Sequence, residues 1–129
     1  MKGAMNRRIL EERRIHPAIH EKVASYRGAI VDEVEAAVAR YDVVVVGMAQ
    51  NPFPRRARKL LERRRIAHHY LEYGSYLSKW QERMPLKLWT GWPTFPMIFV
   101  KGVLIGGYDD LQRLVDGGQI ESLLAAPRG

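Results

Sequence analysis

Four consecutive valines, Val43–Val46, constrain this chain more than any other stretch. A branched Cβ is stiff at χ1, which disfavours helix and suits the pleat of a strand. With no polar alternation, neither face of that strand can meet water, so it reads as a buried strand within a covered sheet. Helical patterns flank it. Upstream, Ile19, Val23, Tyr26, Ile30, Val34 and Val38 recur at spacings of 4, 3, 4, 4 and 4, one face of an amphipathic helix ending near Arg40. Downstream, Asn51 suits an N-cap and Pro52 the first helical position, where a missing N–H costs nothing. The helix this predicts, Asn51–Arg65, turns Phe53, Ala57, Leu60, Leu61 and Arg64 inward and its other arginines outward.

The remaining chain supplies partners for the valine strand. Ile66–Tyr73 can return as a second, parallel strand. Tyr76, Leu77, Trp80 and Met84 suggest a packed helix, with Pro85 starting or interrupting a turn that ends around Trp89. Phe95–Val100, the two-residue turn Lys101-Gly102 and Val103–Ile105 form an antiparallel hairpin. Gly106-Gly107 ends it. Asp109 or Asp110 then opens a last helix, which Gly117-Gly118 stops. The predicted architecture is α/β: a four-stranded mixed sheet, a parallel pair plus a C-terminal antiparallel hairpin, flanked by helices and preceded by an N-terminal helix. Residues 1–16 read as a flexible basic arm and 17–129 as one domain.

Composition removes whole classes of chemistry. The chain has no cysteine, which excludes disulfides, thiolate metal sites and any mechanism in which it supplies a thiol nucleophile. No apolar run is long enough to span a bilayer, and the N-terminus lacks the apolar core of a secretory signal, so a cytoplasmic protein without a membrane partner is expected. Most of the net charge of +7 sits in residues 55–65, with seven basic side chains against Glu62 alone. Such a stripe is either a solvated helix face or a site for acidic partners or phosphates. Few exposed aromatics accompany it, so nucleic acid is not expected as a partner. His16 and His20 stand at i, i+4, but no acidic third ligand accompanies them and no metal is expected. His68 and His69 are adjacent and would face opposite sides of a strand.

Three motifs carry a resemblance. Trp92-Pro93-Thr94-Phe95-Pro96, then Val100-Lys101-Gly102, then Gly106-Gly107-Tyr108-Asp109 resemble the C-terminal signature of glutaredoxins, closest to the monothiol class. The segment VVVVGMAQNPFPRRARKLL aligns without a gap with that family's strand, active-site loop and helix. The likeness covers roughly residues 19–124 and implies a thioredoxin-like fold. It sets Asn51 at the reactive cysteine and Pro54 at the family's second cysteine or serine, so no catalytic residue is expected.

The same resemblance implies a glutathione site. Thr94, Phe95 and Pro96 would form a cis-proline loop whose Phe95 backbone meets the peptide. Gly106 and Gly107 would allow close approach, and Asp109, with Asp110, would meet the γ-glutamyl ammonium. Arg83, nine residues before Trp92, would pair with the glycyl carboxylate. Met48 stands where the family commonly has a lysine. Monothiol members bridge an iron–sulfur cluster through a cysteine, and none is expected here. Three readings follow: a non-catalytic domain that binds glutathione or a protein partner, a glutathione-dependent thiol–disulfide oxidoreductase relying on glutathione's own sulfur, or an adaptor using its basic helix. The first fits the missing thiol best. Thiol–disulfide catalysis is not expected.

Overall fold

Strand β1 (Val43–Gly47) is buried along its whole length, and its pleat divides the protein into two layers. In a computed structural model that describes residues 7–25, 28–74 and 80–128, Val44 and Val46 face one core and Val43 and Val45 the other. Beside β1 runs parallel strand β2 (His69–Glu72), and on its other side antiparallel β3 (Met97–Val100), which pairs with β4 (Val103–Gly106). The order is β2-β1-β3-β4, so the two continuously buried strands are central. Both expected strand pairings are present, with β2 shorter than 66–73. Lys101 and Gly102 both take positive φ at the hairpin turn, which suits the twist of its strands.

Helices α2 (Gly28–Arg40) and α4 (Trp80–Thr90) pack together over the first core, with Val31, Val34 and Leu86 fully or almost fully buried. The second core lies under α3 (Pro52–Arg63), α5 (Tyr108–Asp116) and α6 (Gln119–Ala125), through Ala57, Leu61, Leu111 and Ile120.

Four details depart from the sequence pattern. The helix expected from Ile19 to Arg40 is divided: Pro17–Ile19 is a 3-10 turn, α1 is His20–Ser25, and α2 begins at Gly28 in the left-handed region. That glycine adopts a φ of 64°, which breaks a helix. Tyr26, Tyr76 and Leu77 lie outside the described residues. Pro85, expected to start or interrupt a turn, sits inside α4, where burial of its ring and of Leu86 offsets the lost backbone bond. In α3 it is Pro54, not Phe53 or Arg64, that turns inward, because α3 rests on β1 with Pro54 against Gly47. Gly117-Gly118 stops α5 only briefly. The unforeseen α6 follows, and beyond it the Arg128 guanidinium binds the carbonyls of Val38 and Tyr41 and the Asp42 carboxylate. At the other end, Arg7 donates to the Leu88 carbonyl, tying the described part of the basic arm to α4.

Pro54 meets β1 at Gly47. A Cβ built there would lie 2.7 Å from Pro54 Cβ and 2.9 Å from the Tyr70 hydroxyl, and a proline ring cannot swing aside. Gly47→Ala is therefore expected to cost about 1–3 kcal/mol by overpacking. A lowered urea midpoint at unchanged slope checks it, and an unchanged midpoint would mean that α3 moves freely.

Candidate functional site

The α3 N-terminus is built by neutral chemistry. Asn51 has extended backbone geometry, and its Oδ1 accepts from the Phe53 N–H at 3.0 Å, the ordinary N-cap contact. Its Nδ2 reaches across to donate to the Phe95 carbonyl at 3.1 Å. The one carboxamide thus joins the first turn of α3 to the residue before Pro96, whose peptide bond is cis. Around this joint lies a groove of about 450 Å³, lined by Met48, Asn51, Phe53, Lys87, Pro93, Tyr108 and their neighbours.

Most of the residues expected at a ligand site converge here. Thr94, Phe95 and Pro96 line the groove, as do Gly107, Asp109 and Asp110. Gly106 stands behind them. Its φ is 114°, which residues with a side chain rarely adopt, and a Cβ there would run into the Asp110 carboxylate, so the position favours glycine. Asp110 is committed to structure, since its Oδ2 accepts from the Gly107 N–H at 2.9 Å and caps α5. Asp109 is exposed and has neither ion pair nor hydrogen bond among the described residues.

Arg83 is the exception. It is only 6% exposed, donates to the Tyr73 carbonyl at 3.1 Å, and does not line the groove. One turn further along α4, Lys87 does, its Nζ 5.8 Å from the centre of the Phe95 ring. Lys87 likewise has no ion-pair partner among the described residues. Sequence spacing to Trp92 favoured Arg83, whereas the position of α4 over the core brings Lys87 to the rim. The i, i+4 relation between the two, about 6 Å along the axis, was the available signal.

Three aromatic residues also went unassigned to the site. Phe53 is 43% exposed at the rim, its ring 6.2 Å from that of Tyr108. Trp92 packs on the core beneath, and its indole N–H is buried without a partner among the described residues. The Phe95 backbone N–H is also without a partner among them. The groove therefore offers a cation from one layer, a carboxylate from the other, and an open backbone donor between.

The remaining candidates are occupied elsewhere. His16 Nδ1 accepts from the Ala18 N–H, His20 Nε2 meets the Ile15 carbonyl, and the His69 ring stacks on Tyr41 at 4.1 Å. Among the described residues no group of three metal-ligating side chains forms. Arg58 lies over the Tyr70 ring at 4.1 Å. Burial, then the Glu72 carboxylate that accepts its hydrogen bond, raises the Tyr70 phenol well above its ordinary range, so it is no base. Arg55, Arg56, Lys59 and Arg63 are exposed, with no ion pair among the described residues.

The two adjacent aspartates should separate in experiment. Asp110→Ala is expected to lose about 1 kcal/mol of stability with its cap. Asp109→Ala should stay within about 0.5 kcal/mol of the parent. Thermal unfolding of both checks it, and equal losses would mean that Asp109 has a structural role.

Comparison with known proteins agrees with this geometry. The Glutaredoxin family model matches residues 43–105, from β1 into β4. A glutaredoxin-like protein of Dictyostelium discoideum is 41% identical over 115 residues, covering 89% of this chain and 92% of that one. A probable monothiol glutaredoxin 2 of Rickettsia prowazekii is 43% identical over 42 residues, 33% of this chain and 39% of the relative. The crystal structure of a buckwheat glutaredoxin–glutathione complex superposes with a TM-score of 0.66 over 78% of this chain and 91% of that one, at 19% identity. A thioredoxin-like fold, a cis-proline loop beside a helix N-terminus and a full-length relative at this identity lead to one conclusion: the chain belongs to the glutaredoxin family.

Proposed function

We propose that this chain is a non-catalytic glutaredoxin-family domain that binds glutathione, free or carried on a protein partner, without exchanging its sulfur. One observation carries the reading. Lys87 and Asp109, each without an ionic partner among the described residues, come from helices on opposite faces of the sheet and line the same groove. Its floor is the cis-proline loop with an open Phe95 N–H. An extended peptide with a carboxylate at one end and an ammonium at the other matches that pattern. The carboxylate would pair with Lys87, the γ-glutamyl ammonium with Asp109, and a central carbonyl with Phe95. The fold relative solved with glutathione supports the choice of ligand.

Lack of exchange follows from the chain's own atoms. Thiol–disulfide exchange begins with attack by a thiolate, and the chain has no cysteine. Asn51 holds the family's cysteine position with a carboxamide already spent on two hydrogen bonds. The same deficit means that the residues present do not fit a bridging iron–sulfur cluster, which takes a protein thiolate.

Titration calorimetry with reduced glutathione tests the binding. Heat is expected in the millimolar range, and Lys87→Ala or Asp109→Ala should each weaken affinity about three- to tenfold, as for one charge-assisted contact at a solvent-open rim. Absence of heat with the parent protein would overturn the glutathione reading. In a mixed-disulfide reduction assay the expected rate is that of buffer alone. A rate above buffer would instead make the domain an oxidoreductase acting through glutathione's own thiol.

A further inference from the structure

We infer that Asn51 is a specificity-determining residue that stands in, within the chain, for part of the peptide ligand. The inference rests on the glutathione reading above and concerns how that site is tuned. A peptide lying along the cis-proline loop can pair with Phe95 at two points, accepting from its N–H and donating to its carbonyl. The two points are not equally open. The N–H has no partner among the described residues, whereas the carbonyl already accepts from Asn51 Nδ2 at 3.1 Å.

The Asn51 carboxamide cannot easily turn away. Its Oδ1 is held by the Phe53 N–H at 3.0 Å, so releasing Nδ2 by rotation would also break the cap of α3. In the free domain the carboxamide therefore fills the donor half of the peptide edge. A ligand gains from its two charged ends and from one backbone bond, and its own amide N–H must compete with Asn51 for the Phe95 oxygen. A cysteine at this position could present sulfur but no such donor. The substitution thus removes the nucleophile and at the same time satisfies the carbonyl that the ligand would have used. This groove favours ligands whose central unit accepts a hydrogen bond over those that must also donate one.

Asn51→Ser isolates the effect, because serine caps a helix about as well as asparagine and cannot reach Phe95. Calorimetry should find reduced glutathione bound about two- to tenfold more tightly by Asn51→Ser than by the parent, the range of one net hydrogen bond. A glutathione analogue with an ester in place of the γ-glutamyl–cysteinyl amide has no N–H there and should gain nothing from the substitution. An equal gain for both ligands would mean that Asn51→Ser only made room, and would overturn the inference. So would unchanged or weaker glutathione binding, with the glutathione reading left standing. No binding by either protein would overturn both.

The parent protein supplies a second measurement that needs no variant. The through-hydrogen-bond NMR coupling between Asn51 Nδ2 and the Phe95 carbonyl carbon should be present in the free domain and diminish at saturating glutathione. Its absence in the free protein, or its persistence unchanged at saturation, would overturn the inference.

Discussion

Two-sided burial of β1 is the constraint on which the rest depends. A strand whose four valines are at most 1% exposed has to be covered from above and below, and helices on both faces are the means. Once α2 and α4 cover one face and α3, α5 and α6 the other, the strand ends open between two helical layers. The groove lies in that opening. Lys87 and Asp109 approach it from different layers, so a ligand held by both spans the sheet edge rather than lying on one helix. The site is a consequence of the layering.

Within that frame the α3 N-terminus is built from neutral groups. A helix start presents free N–H groups and a partial positive charge, which stabilise a thiolate when one is there. Here a neutral carboxamide takes one N–H, Pro52 and Pro54 provide none, and α3 has no acidic residue in its first turn. The junction carries no anion. Pro54 against Gly47 and Asn51 against Phe95 each tie the loop to a different strand or its approach, and together they shape the groove.

Much of this was legible along the chain. Periodicity and glycine placement identified all four strands, the hairpin and the α3 cap, because each depends on a few neighbouring residues. The Trp-Pro-Thr-Phe-Pro and Gly-Gly-Tyr-Asp segments pointed to the loops that line the groove. What failed were statements about depth and direction. Arg83 and Lys87 share a face of α4, and no local rule says which of them the core swallows. Phe53 and Pro54 are adjacent, and which turns inward depends on how α3 rests on Gly47. Asp109 and Asp110 are alike in sequence, yet only Asp110 reaches back to the Gly107 N–H.

The sequence by itself determined what cannot happen, since a chain without cysteine offers no thiolate in any conformation. It also determined the fold class, because strand and helix periods are local and the valine run demands cover on both faces. Only the tertiary structure decided which charges border the groove and that Asn51 answers the Phe95 carbonyl, 44 residues away. Burial and long-range hydrogen bonding depend on how whole helices dock, and docking is set by the sum of many packed contacts rather than by any one residue and its neighbours.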